Sequence, residues 1–150
     1  MNSLNPSEFS KVDCLLGSVP FNALFAQSVV KRHVDGRVFV DSIDAPKTCL
    51  IAHPYGMLLL IGDPCNSEFN DWLRWYFLDT GRDRREEEWL QVWPDQWNNT
   101  IGDLLGNQLV LAADSDEGNM SDQVVQYTRI NFRFNKDRYM EHRDDPTRHG

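Results

Sequence analysis

The fold is decided by residues 48–61, which read Thr-Cys-Leu-Ile-Ala-His-Pro-Tyr-Gly-Met-Leu-Leu-Leu-Ile. Two apolar runs, Thr48–His53 and Met57–Ile61, are separated by the turn-forming sequence Pro54-Tyr55-Gly56. This pattern predicts a β-hairpin whose second strand is buried on both faces. The preceding run Arg37–Asp41 is short and rich in β-branched and aromatic residues, as strands are. The three segments together predict a three-stranded meander.

Helical periodicity flanks this meander on both sides. The sequence Asn5-Pro6-Ser7-Glu8 predicts a capped helix start, and Gly17 is the expected left-handed stop. A second helix is expected between Pro20 and Gly36, a third behind a cap at Asn66 or Ser67, and a fourth before Gly106. Their apolar spacing predicts a core that contains Phe9, Val12, Leu16, Phe21, Leu24, Phe25, Val29, Phe69, Trp72, Leu73, Tyr76, Phe77, Trp97, Ile101, Leu104 and Leu105.

The second half of the chain adds shorter strand signals. Trp89–Val92 and Gln108–Ala112 read as strands, residues 114–122 as a polar acidic loop, and Ile130–Phe134 as a half-buried antiparallel strand of period two. The expected fold class is therefore α/β (α+β), with a mixed, largely antiparallel sheet flanked by helices. A chain of 150 residues suits one domain, expected over residues 1–137, followed by a polar tail or truncated linker over 138–150.

The charge balance disfavours two classes of partner. Asp and Glu outnumber Lys and Arg by 23 to 15, and the resulting net charge of -8 repels nucleic-acid phosphates and anionic lipids. The densest basic cluster, Arg82, Arg84 and Arg85, is followed at once by Glu86–Glu88 and reads as a solvated, self-neutralising turn. We therefore expect neither a nucleic-acid nor a membrane partner.

The N-terminal sequence, the lengths of the apolar runs and the number of cysteines bear on the cellular location of the protein. The N-terminal residues show neither a basic leader nor an apolar run of signal-peptide length, and Met57–Ile61 is far shorter than the roughly 20 residues that cross a bilayer. The three cysteines are an odd number without close spacing, which favours reduced thiols over a disulfide framework. A cytoplasmic protein is expected.

The sequence contains no local motif for a metal-binding or phosphate-binding site. The histidines are scattered, and the run Asp114–Gly118 lacks the further ligands that a calcium loop requires. Glycine-rich phosphate loops are absent from the sequence. No metal-binding and no cofactor-binding residue is predicted. The four histidines are His33, His53, His142 and His149.

Nucleophilic catalysis is equally poorly supported. No Gly-x-Ser-x-Gly occurs, and Cys14 and Cys49 have no activating context. Cys65 is the best candidate of the three, because it precedes the predicted helix cap at Asn66 and the helix amides could lower its pKa. An enzyme that uses Cys65, His53 or the acidic loop remains one alternative, but no catalytic residue is predicted.

The five tryptophans raise the alternative of a ligand platform. Trp72 and Trp97 fall on apolar helix faces and are expected in the core. Trp75, Trp89 and Trp93 are the candidates for surface aromatic residues. A free-standing interaction or small-ligand-binding module, in one version a homodimer, is therefore kept as an alternative function.

The order of several segments resembles a known family. The matching segments are Asn22–Val30, Gly36–Asp41, Ala45-Pro46-Lys47, Gly56–Asp63, Asn66-x-x-Phe69-Asn70, Glu87–Val92 with Trp97, and Tyr127–Phe134. Their order is similar to the N-terminal half of bacterial GNAT-type acetyltransferases that carry an extra leading domain. The resemblance covers most of residues 20–140 and includes no catalytic motif.

The resemblance implies an accessory role. In that family the catalytic GNAT domain follows this region, and a Gln/Arg-x-x-Gly-x-Gly/Ala loop there holds the acetyl-CoA pyrophosphate. Gly102–Gly106 is the nearest approach in this chain, and it lacks the leading residue and the glycine spacing. We therefore expect acetyl-CoA to belong to a missing C-terminal half. This chain is then a truncated, split or stand-alone leading domain without acetyl transfer of its own, and its expected partner is a GNAT domain in cis or in trans, or a second copy.

Overall fold

Between residues 6 and 111 the main helices and strands follow one another in the order that the sequence periodicity predicts, whereas the short strand at residues 2–3 is not predicted. The structure is a computed structural model that describes residues 1–78, 87–112, 124–128, 132 and 134–143. The elements are β1 (Asn2–Ser3), a 3₁₀ helix (Pro6–Val12), α1 (Asp13–Gly17), α2 (Leu24–Val30), β2 (Arg37–Val40), β3 (Thr48–Ala52), β4 (Met57–Gly62), α3 (Ser67–Leu78), β5 (Trp89–Trp93), α4 (Trp97–Leu105), a second 3₁₀ helix (Gly106–Gln108), β6 (Leu109–Leu111), β7 (Val124–Gln126) and α5 (Lys136–Arg143).

A five-stranded sheet in the order β1-β2-β3-β4-β5 forms the centre of the domain. The predicted meander is confirmed, since β2, β3 and β4 pair antiparallel with Val38 opposite Ile51 and Ile51 opposite Leu59. β5 pairs parallel to β4, which a short turn cannot achieve, and α3 lies in the connection between them. The predicted fold class, a mixed and largely antiparallel sheet flanked by helices, is therefore confirmed.

The sheet separates two hydrophobic cores, because successive side chains of each strand point to opposite faces. The first core lies between the sheet and the N-terminal helices. Its buried members are Leu4, Phe9, Val12, Leu16, Ala23, Ala26, Val29, Val30, Val38, Val40, Cys49, Ile51, Leu59 and Ile61. The second core lies against α3 and α4. Its buried members are Phe39, Leu50, Ala52, Leu58, Leu60, Phe69, Leu73, Tyr76, Trp97, Ile101 and Leu105.

The N-terminal helices differ from the prediction in three details. The capping interaction is confirmed, since the Glu8 carboxylate accepts the backbone N–H of Asn5 at 3.3 Å, but the first turns are 3₁₀ rather than α. The expected left-handed stop at Gly17 is wrong: Gly17 is the last helical residue of α1, and Arg32 is the residue of positive φ that follows α2. Leu24 is exposed because the buried face of α2 runs through Ala26, Val29 and Val30 instead.

The C-terminal third departs further from the prediction. β7 is not predicted and pairs parallel to β6. Phe132 and Phe134 lie outside strands and are exposed, so the predicted strand is wrong at these two positions, while 129–131 and 133 lie outside the described residues. A sequence that alternates with period two forms a strand only where it can pair with a sheet. Neither the Phe132 nor the Phe134 side chain is packed against a sheet. Residues 136–143 form α5 where a polar tail from 138 was expected.

Candidate functional site

The residues with reactive side chains lie mainly at the end of the sheet where β2 stops and β3 begins. Asp41 follows β2 directly, and its Oδ1 accepts the backbone N–H groups of Lys47 at 3.0 Å and Thr48 at 3.1 Å. Its Oδ2 accepts the side-chain amide of Asn66 at 3.3 Å. One carboxylate therefore joins the β2–β3 connection to the residue that precedes α3.

Further hydrogen bonds extend this network towards α3. The buried hydroxyl of Thr48 donates to the carbonyl oxygen of Asp63 at 2.7 Å. Asn66 Oδ1 accepts the backbone N–H of Phe69 at 3.0 Å, which confirms the predicted helix cap. The Asp63 carboxylate accepts the backbone N–H of Cys65 at 2.9 Å. The network satisfies backbone groups that the turns and the helix start would otherwise leave open.

This arrangement stabilises the fold and offers little to catalysis. A general base needs a lone pair directed at substrate, but both oxygens of Asp41 already accept hydrogen bonds from the protein. Cys49 is fully buried beside it, and burial first, then the negative charge of Asp41, raises the pKa of its thiol. Because the thiolate is the reactive form, Cys49 is inert as a nucleophile.

The other two candidate residues for an enzyme do not converge. Cys65 is exposed beyond the end of β4, whereas the backbone N–H of His53 donates to Met57 at the start of that strand at 2.9 Å. A strand of this length separates its ends by about 17 Å. His53 also accepts the backbone N–H of Tyr55 on Nδ1 at 3.2 Å. A shared Cys–His site is therefore excluded by this geometry.

The remaining predicted candidates give no site either. His33 is exposed, Cys14 is exposed, and the acidic loop 114–122, the side chain of His142 and residue His149 lie outside the described residues. Across the described part of the chain, no three His, Cys, Asp or Glu side chains are grouped to hold a metal ion. In the same residues, no helix has the length and apolar character needed to cross a bilayer.

A shallow, open depression on the outer side of α3 is lined by Asp71, Arg74, Trp75 and Leu78. The guanidinium of Arg74 is held towards α4, because it donates to the carbonyl oxygen of Leu104. Small-ligand sites are normally concave and enclose most of their ligand. This depression therefore does not qualify as a ligand site.

The most distinctive exposed feature lies at the start of β5. The rings of Trp89 and Tyr127 lie 5.8 Å apart between centroids, at 37° to each other, and these side chains are 55% and 56% exposed. Tyr55, which is 79% exposed, lies at the same end of the sheet, because the carbonyl oxygen of its neighbour Gly56 accepts the Trp89 N–H at 2.8 Å. The ring of Tyr55 packs against that of His53, with 5.1 Å between the centroids. We call Tyr55, Trp89 and Tyr127 the aromatic surface.

The local backbone explains why these residues meet. Parallel pairing places Trp89 opposite Met57, directly after the hairpin turn. Gly56 adopts a φ of 78°, and a Cβ there would lie 2.6 Å from the carbonyl oxygen of Glu87. Only glycine allows the turn and the chain entering β5 to approach so closely. The hairpin and β5 therefore bring Tyr55 and Trp89 to one end of the sheet.

The five tryptophans divide between the core and the surface largely as their spacing predicts. Trp97 is buried and Trp72 is partly buried against the second core, as expected. Trp75 and Trp89 are exposed, whereas Trp93 is partly buried against the first core. The pairing of Trp89 with Tyr127 joins residues far apart in sequence, and no local pattern predicts it.

Comparison with protein-family models finds no match for this chain, and comparison with curated proteins finds none.

Proposed function

We propose that this chain is an interaction domain, the accessory N-terminal domain of a GNAT-type N-acetyltransferase-like protein, which contacts its partner through the aromatic surface. The observation that carries this proposal is the exposed ring pair of Trp89 and Tyr127, with the exposed Tyr55 at the same end of the sheet. Single exposed apolar side chains are common on monomers, but adjoining large aromatic side chains are enriched where proteins bind one another.

The GNAT assignment rests on the order of the resembling segments. Four of the resembling positions, Asp41, Lys47, Asp63 and Asn66, belong to one hydrogen-bond network. Their role in holding β2, β3 and α3 together is consistent with a leading domain that supplies structure and not chemistry. The domain is then expected to act without a cofactor of its own, acetyl-CoA being bound by the GNAT domain. The cytoplasmic location that we propose suits three free thiols.

The alternative is a free-standing homodimer. The outer edge of β5 has no neighbouring strand among the described residues, and unpaired edges favour association of sheets between chains. A dimer that buries the aromatic surface would use the same residues as the proposed contact with a GNAT domain. Light scattering coupled to size exclusion, over a concentration series, distinguishes a dimer from a monomer.

The first test uses a purified GNAT domain of the resembled family as the probe. We expect it to bind the chain in isothermal titration, and Trp89→Ala to weaken that binding at least about tenfold, as loss of a central aromatic residue does. Trp75→Ala is the matched control, since Trp75 is 54% exposed on a different element. Absence of binding, or equal loss in both variants, would overturn the proposal.

The second test is titration of the chain alone with acetyl-CoA, with thermal unfolding as an independent readout. A ligand that binds the native state must raise the unfolding temperature. We expect no heat of binding and no shift in unfolding temperature. Micromolar binding would mean that the domain carries a cofactor site and would overturn the accessory role.

A further inference from the structure

A carboxylate that has no partner among the described residues lies close in sequence to the aromatic surface. Glu87 is exposed two residues before Trp89, and no cation or hydrogen-bond donor of the described residues contacts its carboxylate. The neighbouring Glu88 differs, because its carboxylate accepts the hydroxyl of Tyr76 at 3.2 Å. Exposed aromatic faces and a carboxylate without a partner in the described part of the chain therefore occur together at the start of β5.

Aromatic faces and carboxylates attract the same kind of group. The face of a tryptophan or tyrosine ring carries negative charge density and binds cations, most often arginine. A guanidinium can stack on such a face with its plane while its N–H groups donate to a carboxylate. The net charge of -8 adds a long-range attraction for a positively charged partner.

The described cations do not fill this position. Arg37 lies over the ring of Phe39 at 5.4 Å, Arg74 is bound to Leu104, and Lys11 pairs with Glu8 at 2.7 Å. No described cation lies over Trp89 or Tyr127. The attraction that these rings and Glu87 exert is thus unused within the described chain.

The shape of the surface decides between a small ligand and a macromolecule. Small molecules bind in concavities that enclose them, whereas Tyr55, Trp89 and Tyr127 are each more than half exposed. We propose that Trp89, Tyr127 and Glu87 form a docking site for an arginine side chain presented by a protein partner. This inference rests on the proposed function, because it names the chemistry by which the partner is recognised.

The test uses short capped peptides as probes. A Gly-Arg-Gly-Arg-Gly peptide is compared with the same peptide carrying citrulline, which has the shape of arginine without its charge. Binding is followed by chemical-shift changes in a ¹H–¹⁵N spectrum of the full chain, including the tryptophan indole N–H signals. We expect the arginine peptide to shift the Trp89 and Tyr127 signals, and the citrulline peptide to leave them unchanged.

Variants assign the effect to the three residues. We expect Trp89→Ala to weaken peptide binding about fivefold and Trp89→Phe to restore part of it, since the ring face is retained. Glu87→Gln should weaken binding about two- to fivefold and reduce its dependence on salt. Trp75→Ala and Asp103→Asn, both at exposed positions on other elements, should leave the affinity unchanged. Circular dichroism verifies that each variant is folded.

The outcomes separate this inference from the proposed function. Equal binding of the citrulline peptide, or shifts that do not involve Trp89, would overturn the arginine site. If the GNAT domain still binds through Trp89 but is insensitive to Glu87→Gln, the interface stands and the arginine site fails. If the arginine peptide binds at Trp89 and the GNAT domain does not, the site stands and the proposed partner fails.

Discussion

The indole N–H of Trp97 donates a hydrogen bond to the carbonyl oxygen of Gly62 at 3.1 Å. Trp97 is the first residue of α4 and is fully buried in the second core, while Gly62 is the last residue of β4 and has a φ of 105°. The bond therefore fixes α4 to the end of β4 as well as filling the space between them. A partly buried carbonyl oxygen at a strand end thereby accepts a hydrogen bond from the protein.

Replacement of Trp97 by phenylalanine should destabilise the domain by about 2–3 kcal/mol, because it removes both ring volume and the donor to Gly62. Urea unfolding followed by circular dichroism measures the change. Trp75→Phe is the control, and we expect it to alter the free energy of unfolding by no more than about 0.5 kcal/mol. Similar unfolding midpoints for the two variants would contradict the role of Trp97.

The hydrogen bonds of Asp41 should contribute measurably to the free energy of unfolding. In Asp41→Asn, an amide replaces the carboxylate that now accepts from Lys47, Thr48 and Asn66, so one donor must face another. We expect a loss of about 1.5–3 kcal/mol, the range for hydrogen bonds to charged groups. The same urea experiment on Asp44→Asn, an exposed position in the same connection, should show almost no change. Equal stability of both variants would show that the network contributes little.

Burial of Cys49 predicts a specific dependence of stability on pH. Burial raises the pKa of its thiol in the native state, so above about pH 9 the unfolded chain ionises this thiol and the native chain does not. The free energy of unfolding should therefore fall by up to about 1.4 kcal/mol per pH unit, in addition to the effect of other groups. Below the unfolded pKa both states are protonated and this contribution vanishes.

Comparison of the wild type with Cys49→Ala between pH 8 and pH 10.5 isolates this contribution. The wild type should lose stability more steeply than Cys49→Ala, while Cys65→Ala should follow the wild-type slope because Cys65 is exposed. In native protein, a thiol reagent should modify Cys14 and Cys65 rapidly and Cys49 only on unfolding. Parallel pH profiles, or rapid labelling of all three thiols, would refute the assignment.

The fold was predictable wherever local pattern and tertiary packing agree. The apolar runs that begin at Thr48 and Met57 flank a turn that contains Gly56, the turn fixes the register of the hairpin, and both strands are buried. In α3, the helical spacing of the aromatic residues and the cap at Asn66 likewise agree with the face that is buried. For these elements, local structural propensity and the pattern of burial predict the same structure.

The site was less predictable because its members meet through long-range contacts. Asp41 and Asn66, or Trp89 and Tyr127, are brought together by strand pairing and by the crossover through α3. The sequence identified Trp89 as a surface candidate but gave no signal for Tyr127 as its neighbour. The sequence indicated Trp93 as a candidate surface aromatic residue as well. Only the structure, in which Trp93 packs against the first core, distinguishes it from Trp89.

Phe132 and Phe134 provide a direct test between sequence pattern and structure. The alternation of residues 130–134 predicts a half-buried strand, whereas the structure leaves Phe132 90% exposed. Because both side chains are exposed, Phe132→Ser and Phe134→Ser should each change the free energy of unfolding by no more than about 0.5 kcal/mol. Phe69→Ala, in the second core, should cost about 3–5 kcal/mol in the same experiment. A loss above about 2 kcal/mol at either exposed position would favour the strand.

The parallel pairing of β4 and β5 also sets the order in which the sheet can assemble. Contacts among β2, β3 and β4 close short loops, so this meander can form early at a small entropic cost. β5 reaches its place only after the chain has passed through α3, and three helices lie between β1 and its partner β2 in the sequence. The sheet therefore grows from its centre outwards. Its two edges are the strands whose backbone amides exchange with solvent first, and β5 is the edge next to the aromatic surface.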